Sequence, residues 1–385
     1  PACRKRSYVR KRKIRTLRKA LERMEGLQEL LQRTETIQKI NALQEQAART
    51  LFTWPELTGK DRVKRAVRKY VLGQRTAPHD RYFWPNALLA EGLSQIQKGV
   101  RDSKNEEILS RYFDRWIRKG VPLYYVDNAA NGTALLDLYE NTGQKKYLEA
   151  ASKIAAFLKE HKKDEQGNLL YRIRDEADIY ADTVGMVSPF LCRYGLLTGE
   201  NAFVKMGVMQ IVHFLDGGMD AASGLPYHGF NSRTGVKYGC VGWGRAVGWL
   251  MLGIAESLAV LPENTPQFPF MQGYLQRLTR RTADLQRQDG SFSWLLPAFE
   301  GPADPSATAM IACAMLAGIH RGCLEEDWIQ QVCAAAEFLL SCVKNGRVEQ
   351  CSAECEGFSQ YPQRYGSYPW GDGMTLKLFG MMEEV

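Results

Sequence analysis

Residues 180–199, YADTVGMVSPFLCRYGLLTG, decide the fold. The stretch reads as an apolar helix with a carboxylate, Asp182, at its start and Thr198-Gly199 at its end. The same pattern opens 55 positions earlier with Val126-Asp127-Asn128. Asp127 stands 15 residues before Thr142-Gly143, and Asp182 stands 16 before Thr198-Gly199. A second helical run follows each Thr-Gly, ending at Phe157-Leu158 and at Phe214-Leu215. Two successive helical hairpins therefore carry a carboxylate at the same place. Stacked side by side, they point both carboxylates into one space, which is the minimal equipment for acid-base chemistry on a sugar.

Working outward, six apolar helices share this character, starting near Trp84, Asp127, Asp182, Trp243, Asp304 and Trp370. Their spacings of 43, 55, 61, 61 and 66 residues leave room for one further helix and loops each time. Amphipathic helices are expected in those gaps, at 103–119, 145–160, 201–215, 268–288 and 326–343, with a sixth at 60–71. A period of this size signals a helical array. Six helices that are apolar on several sides bury themselves by closing into a ring with the amphipathic six outside. The expected fold is all-α, an (α/α)6 toroid over residues 51–385, with residues 1–50 as a basic, helical N-terminal extension. The inner helices then run parallel, and their N-termini, which carry partial positive charge, open on one face.

Composition agrees with one large globular body: 45% apolar and 24% charged residues. The net charge is +8, but the first 19 residues hold ten Lys or Arg and no acid, so the rest sums to −2. The basic character belongs to the arm, which reads as a solvated segment; nucleic acid is not an expected partner. No run of eighteen apolar residues points to a membrane span, and no signal-peptide core opens the chain. Nine scattered Cys, several inside apolar runs, fit reduced thiols and a cytoplasmic protein. Cys351 and Cys355 form the one close pair, without a partner pair or neighbouring His for zinc. No metal or cofactor is expected.

Trp243-Gly244-Arg245-Ala246-Val247-Gly248-Trp249 is the densest signal for a ligand site. It sets a flat apolar surface beside a planar donor fork that suits a carboxylate. The same residues also fit two packed indoles and an Arg paired to a structural acid. His228, in the turn-rich loop Gly224-Leu225-Pro226-Tyr227-His228-Gly229, is a candidate donor to a substrate oxygen. Trp84 and Tyr125, near inner-helix starts, are candidate platforms for a sugar face. Asp127 and Asp182 fit helix caps as well as catalytic groups, and Asp304 before Pro305 reads as a plain cap. Phosphate loops, nucleophile elbows and His-Glu-x-x-His are absent from the sequence.

Taken in order, Tyr180-Ala181-Asp182-Thr183, Gly224-Leu225-Pro226-Tyr227-His228, the Trp243–Trp249 string and Ser306-Ala307-Thr308-Ala309-Met310 resemble the unsaturated glucuronyl and rhamnogalacturonyl hydrolases, glycoside hydrolase families 88 and 105. The resemblance covers about 80–384. It implies the (α/α)6 barrel and a substrate left by polysaccharide lyases: a pectin- or glycosaminoglycan-derived oligosaccharide ending in a 4,5-unsaturated uronate. It implies Asp182 as general acid/base, Asp127 as second carboxylate, and His228, Arg245 and Trp249 as substrate contacts, beside Trp243 from the string itself. Two departures stand out. Pro305 replaces the acid that often precedes Ser-Ala-Thr-Ala-Met, and Gly-Phe-Asn follows His228 where an acid is common. Two other readings stay open: a sugar-acting toroid of another kind, such as an epimerase or mannan-type hydrolase, and a carbohydrate-binding toroid without catalysis. Paired histidines on the inner face would mark the epimerase; here His228 alone is well placed.

Overall fold

The computed structural model describes residues 26, 28–55, 63, 66–72, 81–100, 103–172 and 176–384. The basic stretch 1–19 lies outside them. Along the chain the helices are α1 (Thr34–Thr53), α2 (Trp84–Val100), α3 (Ser103–Arg118), α4 (Asn131–Thr142), α5 (Lys145–Glu160), α6 (Ala181–Thr198), α7 (Asn201–Gly217), α8 (Gly244–Val260), α9 (Phe268–Ala283), α10 (Pro305–His320), α11 (Ile329–Cys342) and α12 (Pro369–Met382). A 3₁₀ turn, Val126–Ala130, leads into α4.

Even-numbered helices form the inner ring. Composition explains why: α10 is buried from Pro305 through Gly318, and α12 from Pro369 through Met382, so neither has a solvated face. Odd-numbered helices bury one stripe. In α5 that stripe is Tyr147, Ala150, Ala151, Ile154, Ala155 and Leu158, a helical repeat of apolar positions. Each inner helix packs on the next, and α12 packs on α2 to close the circle. At that seam Gly92 and Gly373 meet, and a Cβ on either would run into the other helix's backbone. The result is the expected six-hairpin toroid.

One outer helix differs from expectation. The described part of 60–71 is a short π-helical turn, Val67–Val71, with Val67, Tyr70 and Val71 exposed. The sixth outer position is filled by α1, which packs against α2 and α12. It buries Thr36, Ile40, Leu43, Ala47, Thr50 and Leu51, again one helical stripe. The sequence-based boundary at 50/51 falls inside this helix.

Loop lengths are unequal in a useful way. Inner-to-outer connections are mostly short: 143–144, 199–200, 261–267 and 321–328. Outer-to-inner connections are long: 161–180, 218–243, 284–304 and 343–368. The long ones gather on the face where the inner helices begin. There they pair as short strands. β1 (Asp178–Tyr180), β2 (Gly229–Asn231) and β3 (Lys237–Tyr238) form an antiparallel sheet. β4 (Val343–Lys344) pairs β5 (Arg347–Val348), and β6 (Cys351–Ser352) pairs β7 (Tyr365–Gly366). Among the described residues no helix is long and apolar enough to cross a membrane.

Candidate active site

The β1–β2 register builds the heart of the site. Tyr180 pairs with Gly229, and the Ala181 N–H donates to His228 O at 3.0 Å. The next residue on one side is Asp182, so the pairing sets a carboxylate against an imidazole. His228 Nε2 lies 3.0 Å from Asp182 Oδ2, and His228 Nδ1 lies 2.8 Å from the Tyr361 hydroxyl. The Tyr361 oxygen also accepts the Cys240 N–H at 3.3 Å. His228 is 1% exposed, whereas the Asp182 side chain keeps 14%. Asp182 thus lines the pocket, with His228 tied to it and almost fully buried.

Asp182 is not the cap that its position suggests. The N-cap of α6 is Tyr180, and no side chain caps that end. Asp127 occupies the 3₁₀ turn before α4 and is buried. Burial holds the Tyr171 phenol well above the ordinary range, and the charges of Asp127 and then Asp182 add to that. Asp182 lines the cavity, whereas Asp127 is not among the residues of its wall.

The enclosed cavity at this face measures about 70 Å³, or about 460 Å³ of free space with its open mouth. Trp84, Trp243 and Trp249 are on its wall, all nearly buried. Trp84 and Trp249 meet edge to face at 6.2 Å, and the Trp243 ring lies 4.5 Å from His228. Tyr125 is 41% exposed and stands apart from the cavity wall.

Arg245 lines the cavity, and its guanidinium is also engaged by the protein itself. Its guanidinium is 2% exposed. Nη1 donates to Ser352 O at 2.8 Å and also to Ser352 Oγ, and Nη2 donates to Ala353 O at 2.7 Å. Its carboxylate is Asp304, 3.7 Å away. Asp304 does cap α10, accepting from Ser306 N at 3.0 Å, but it also accepts from Ser352 N and Oγ. Arg245 and Asp304 therefore clamp the loop that carries the next two wall residues.

Those two, Glu354 and Cys355, were missed from sequence, as were Tyr171, Arg172 and Tyr361. Glu354 accepts from Trp84 Nε1 at 3.4 Å. It faces the open mouth yet is enclosed on most sides, and burial, reinforced by Asp182, pushes its carboxyl up. Burial pushes the Cys355 thiol up to about 12, so it stays protonated and non-nucleophilic at neutral pH. The signal available for these residues was loop length: long connections above a rigid ring are where sites are built.

A larger cavity, about 370 Å³, opens at the other end of the ring. Its charges satisfy each other. Lys377 Nζ lies 2.8 Å from Glu91 and 2.6 Å from Glu256, and Asp137 takes Lys98 and Arg193 at 2.8 Å each. Size favours that end, but chemistry favours the smaller cavity, where carboxyl, imidazole and indole groups converge. Among the described residues no three His, Cys, Asp or Glu side chains are placed to hold a metal ion.

Known proteins share this fold and much of its sequence pattern. The chain is 26% identical over 306 residues to the unsaturated rhamnogalacturonyl hydrolase YesR of Bacillus subtilis (strain 168), covering 76% of this chain and 87% of the relative. A crystal structure of a possible glycoside hydrolase family 105 member from Klebsiella pneumoniae superposes with a TM-score of 0.77 at 20% identity, over 90% of this chain and 93% of that one. The unsaturated glucuronyl hydrolase of Bacillus sp. GL1 superposes with a TM-score of 0.65 at 15% identity, over 79% and 87%. These structural likenesses establish the fold. The family model for Glycosyl Hydrolase Family 88 matches residues 32–384, beginning just before α1 and ending just after α12. The chain belongs to glycosyl hydrolase family 88 and is a glycoside hydrolase.

Proposed function

We propose that this enzyme removes a terminal 4,5-unsaturated uronic acid from lyase-generated oligosaccharides by hydrating its C4=C5 bond. The observation that carries the reading is Asp182, a pocket carboxyl on the first turn of an inner helix, held by His228. Relatives whose names state rhamnogalacturonyl and glucuronyl hydrolase activity support the substrate class. A cavity as small as about 70 Å³ suits the end of a sugar chain better than its middle.

The chemistry follows from the enol ether. Asp182 in its acid form gives its proton to C4, and positive charge develops at C5, shared with the ring oxygen. Asp127, the carboxylate at the matching repeat position, is assigned the role of stabilising that cation. Water adds at C5 and returns its proton to the Asp182 carboxylate. The hemiketal opens at the C5–ring oxygen bond, C1 becomes a hemiacetal, and the aglycone leaves as an alcohol. One water is consumed, and Asp182 ends as it began. This route needs no displacement at C1, unlike the two standard carboxylate geometries. The indoles of Trp84 and Trp249 supply apolar surface beside the ring.

The test uses unsaturated disaccharides made by lyases from pectin and from glycosaminoglycans, followed by loss of enol-ether absorbance. In D2O, deuterium should enter C4 of the released sugar, and labelled water oxygen should enter C5. Oxygen label at C1 would exclude the hydration route.

A further inference from the structure

A 4,5-unsaturated uronate keeps two ring hydroxyls, at C2 and C3, because C1 carries the glycosidic oxygen and elimination has removed the oxygen of C4. Both hydroxyls leave water when the ring enters a cavity, and each then needs an acceptor, since a buried donor without one is costly. On the wall, Asp182 is held by His228, and both ring nitrogens of His228 are engaged. The guanidinium of Arg245 can donate but not accept.

Glu354 is the other carboxyl of that wall. It accepts from Trp84 Nε1 at 3.4 Å, and among the described residues this is its one hydrogen bond. Burial pushes the carboxyl up; Trp84 and the charge of Arg245 pull against that, and Asp182 adds to it. A net rise against two favourable neighbours marks a carboxyl short of donors. The backbone that carries it is fixed. Arg245 Nη2 donates to Ala353 O at 2.7 Å, Ser352 N donates to Asp304 at 3.1 Å, and Ala353 N donates to Arg364 O at 2.9 Å. The buried Arg245–Asp304 pair thus sets the position of the residue that follows, Glu354. In a cavity of about 70 Å³, a single ring seated against Asp182 also meets Glu354.

We propose that Glu354 accepts the C2 and C3 hydroxyls of the unsaturated uronate and so holds C4 beside Asp182. The assignment rests on the uronide reading above. A carboxylate has about four acceptor sites, of which Trp84 takes one, so two vicinal hydroxyls can share the rest. A hydrogen bond to the 2-hydroxyl strengthens as the ring becomes cationic, so the contact acts on kcat as well as on KM.

The experiment compares wild type, Glu354→Gln and Glu354→Ala on an unsaturated uronyl disaccharide and on its counterpart lacking both hydroxyls of the unsaturated ring, with melting temperatures as a folding control. Glu354→Ala should lower kcat/KM on the full substrate by about tenfold or more. Glu354→Gln keeps the shape, the Trp84 contact and a neutral acceptor, so its loss should be smaller. On the dideoxy substrate, wild type and both variants should agree within about threefold. An equal loss on both substrates, or no loss on the full one, would overturn the assignment while leaving the uronide reading intact. So would a wild-type loss on the dideoxy substrate far beyond that of Glu354→Ala, which would give the hydroxyls to other groups. A wild type that turns over neither the pectin- nor the glycosaminoglycan-derived disaccharides would instead remove the uronide reading, and Glu354's role with it.

Discussion

His228 Nε2 stands 3.0 Å from Asp182 Oδ2, and the imidazole has no second function open to it, because Nδ1 is held by Tyr361 at 2.8 Å. The chain of three groups can serve both protonation states of the acid. With Asp182 ionised, the Tyr361 hydroxyl donates to Nδ1 and Nε2–H donates to the carboxylate. With Asp182 protonated, its O–H donates to Nε2 and Nδ1–H donates to the Tyr361 oxygen. His228 is thus a positioning residue in this reading, in place of the substrate donor expected from its loop.

Asp182→Asn should abolish the transferable proton while keeping shape. The carboxyl does not cap α6, so the variant should melt within about 1 kcal/mol of wild type. Turnover should fall by about 10²–10⁴-fold. Both are read on one preparation; retained turnover with lowered stability would make Asp182 structural.

Tyr361→Phe should lower kcat while leaving KM nearly unchanged. The Cys240 N–H already donates to the Tyr361 oxygen, which turns the hydroxyl toward His228 Nδ1. Removing the hydroxyl frees the imidazole, and with it the support of Asp182. An unchanged kcat, or a loss seen in KM alone, would count against the chain acting as a unit.

Arg245→Lys should act on stability before activity. A lysine keeps the charge beside Asp304 but cannot reach Ser352 and Ala353 with two nitrogens. The expected loss is about 2–4 kcal/mol, in the range for a damaged buried ion pair. Unchanged denaturant midpoints with a raised KM would instead return Arg245 to the substrate.

Glu91→Gln should flatten the stability profile near neutrality. Burial pushes the Glu91 carboxyl from 4.5 up to about 7, with Lys377 pulling against it and Glu256 adding to it. A carboxyl whose folded pKa is raised contributes stability that is full below about pH 4.5 and lost as pH rises through about 7. Wild type should therefore lose up to roughly 3 kcal/mol across that window, and Glu91→Gln should lose much less. Parallel melting curves for the two proteins would refute the assignment.

The ring was legible in the sequence because inner helices are written in an unusual alphabet. Helices apolar on every side, such as Pro305–His320, have few other destinations. Expected starts at 84, 182, 243, 304 and 370 fall within one residue of observed starts, and the start at 127 is a 3₁₀ turn before α4. The place of α1 in the ring was not legible, because its buried stripe is narrow and its remaining face is rich in Gln, Glu and Arg, the composition of an arm lying on the body. At the site, the repeat position drew attention to Asp182, which lines the cavity; its counterpart Asp127 does not stand on that wall. Tyr171, Arg172, Glu354 and Tyr361 were not visible, because they lie in loops without periodicity. Their meeting depends on two- and three-residue strand pairings that no local pattern announces. Arg245 was read correctly as a planar donor, but which partner fills the fork is decided by Ser352, more than a hundred residues away.

The pairing of α1 with α12 has a consequence for how the protein is made. Five hairpins are built from neighbouring segments and can assemble as they leave the ribosome. The sixth joins the first outer helix to the last inner one, so α1 must wait for nearly the whole chain to be synthesised before its apolar stripe is covered. Until then Ile40, Leu43 and Leu51 are offered to solvent, α2 and α3 without α12. The Gly92–Gly373 seam is therefore the last joint to close, and nascent chains stalled before α12 should be the form on which chaperones and proteases act.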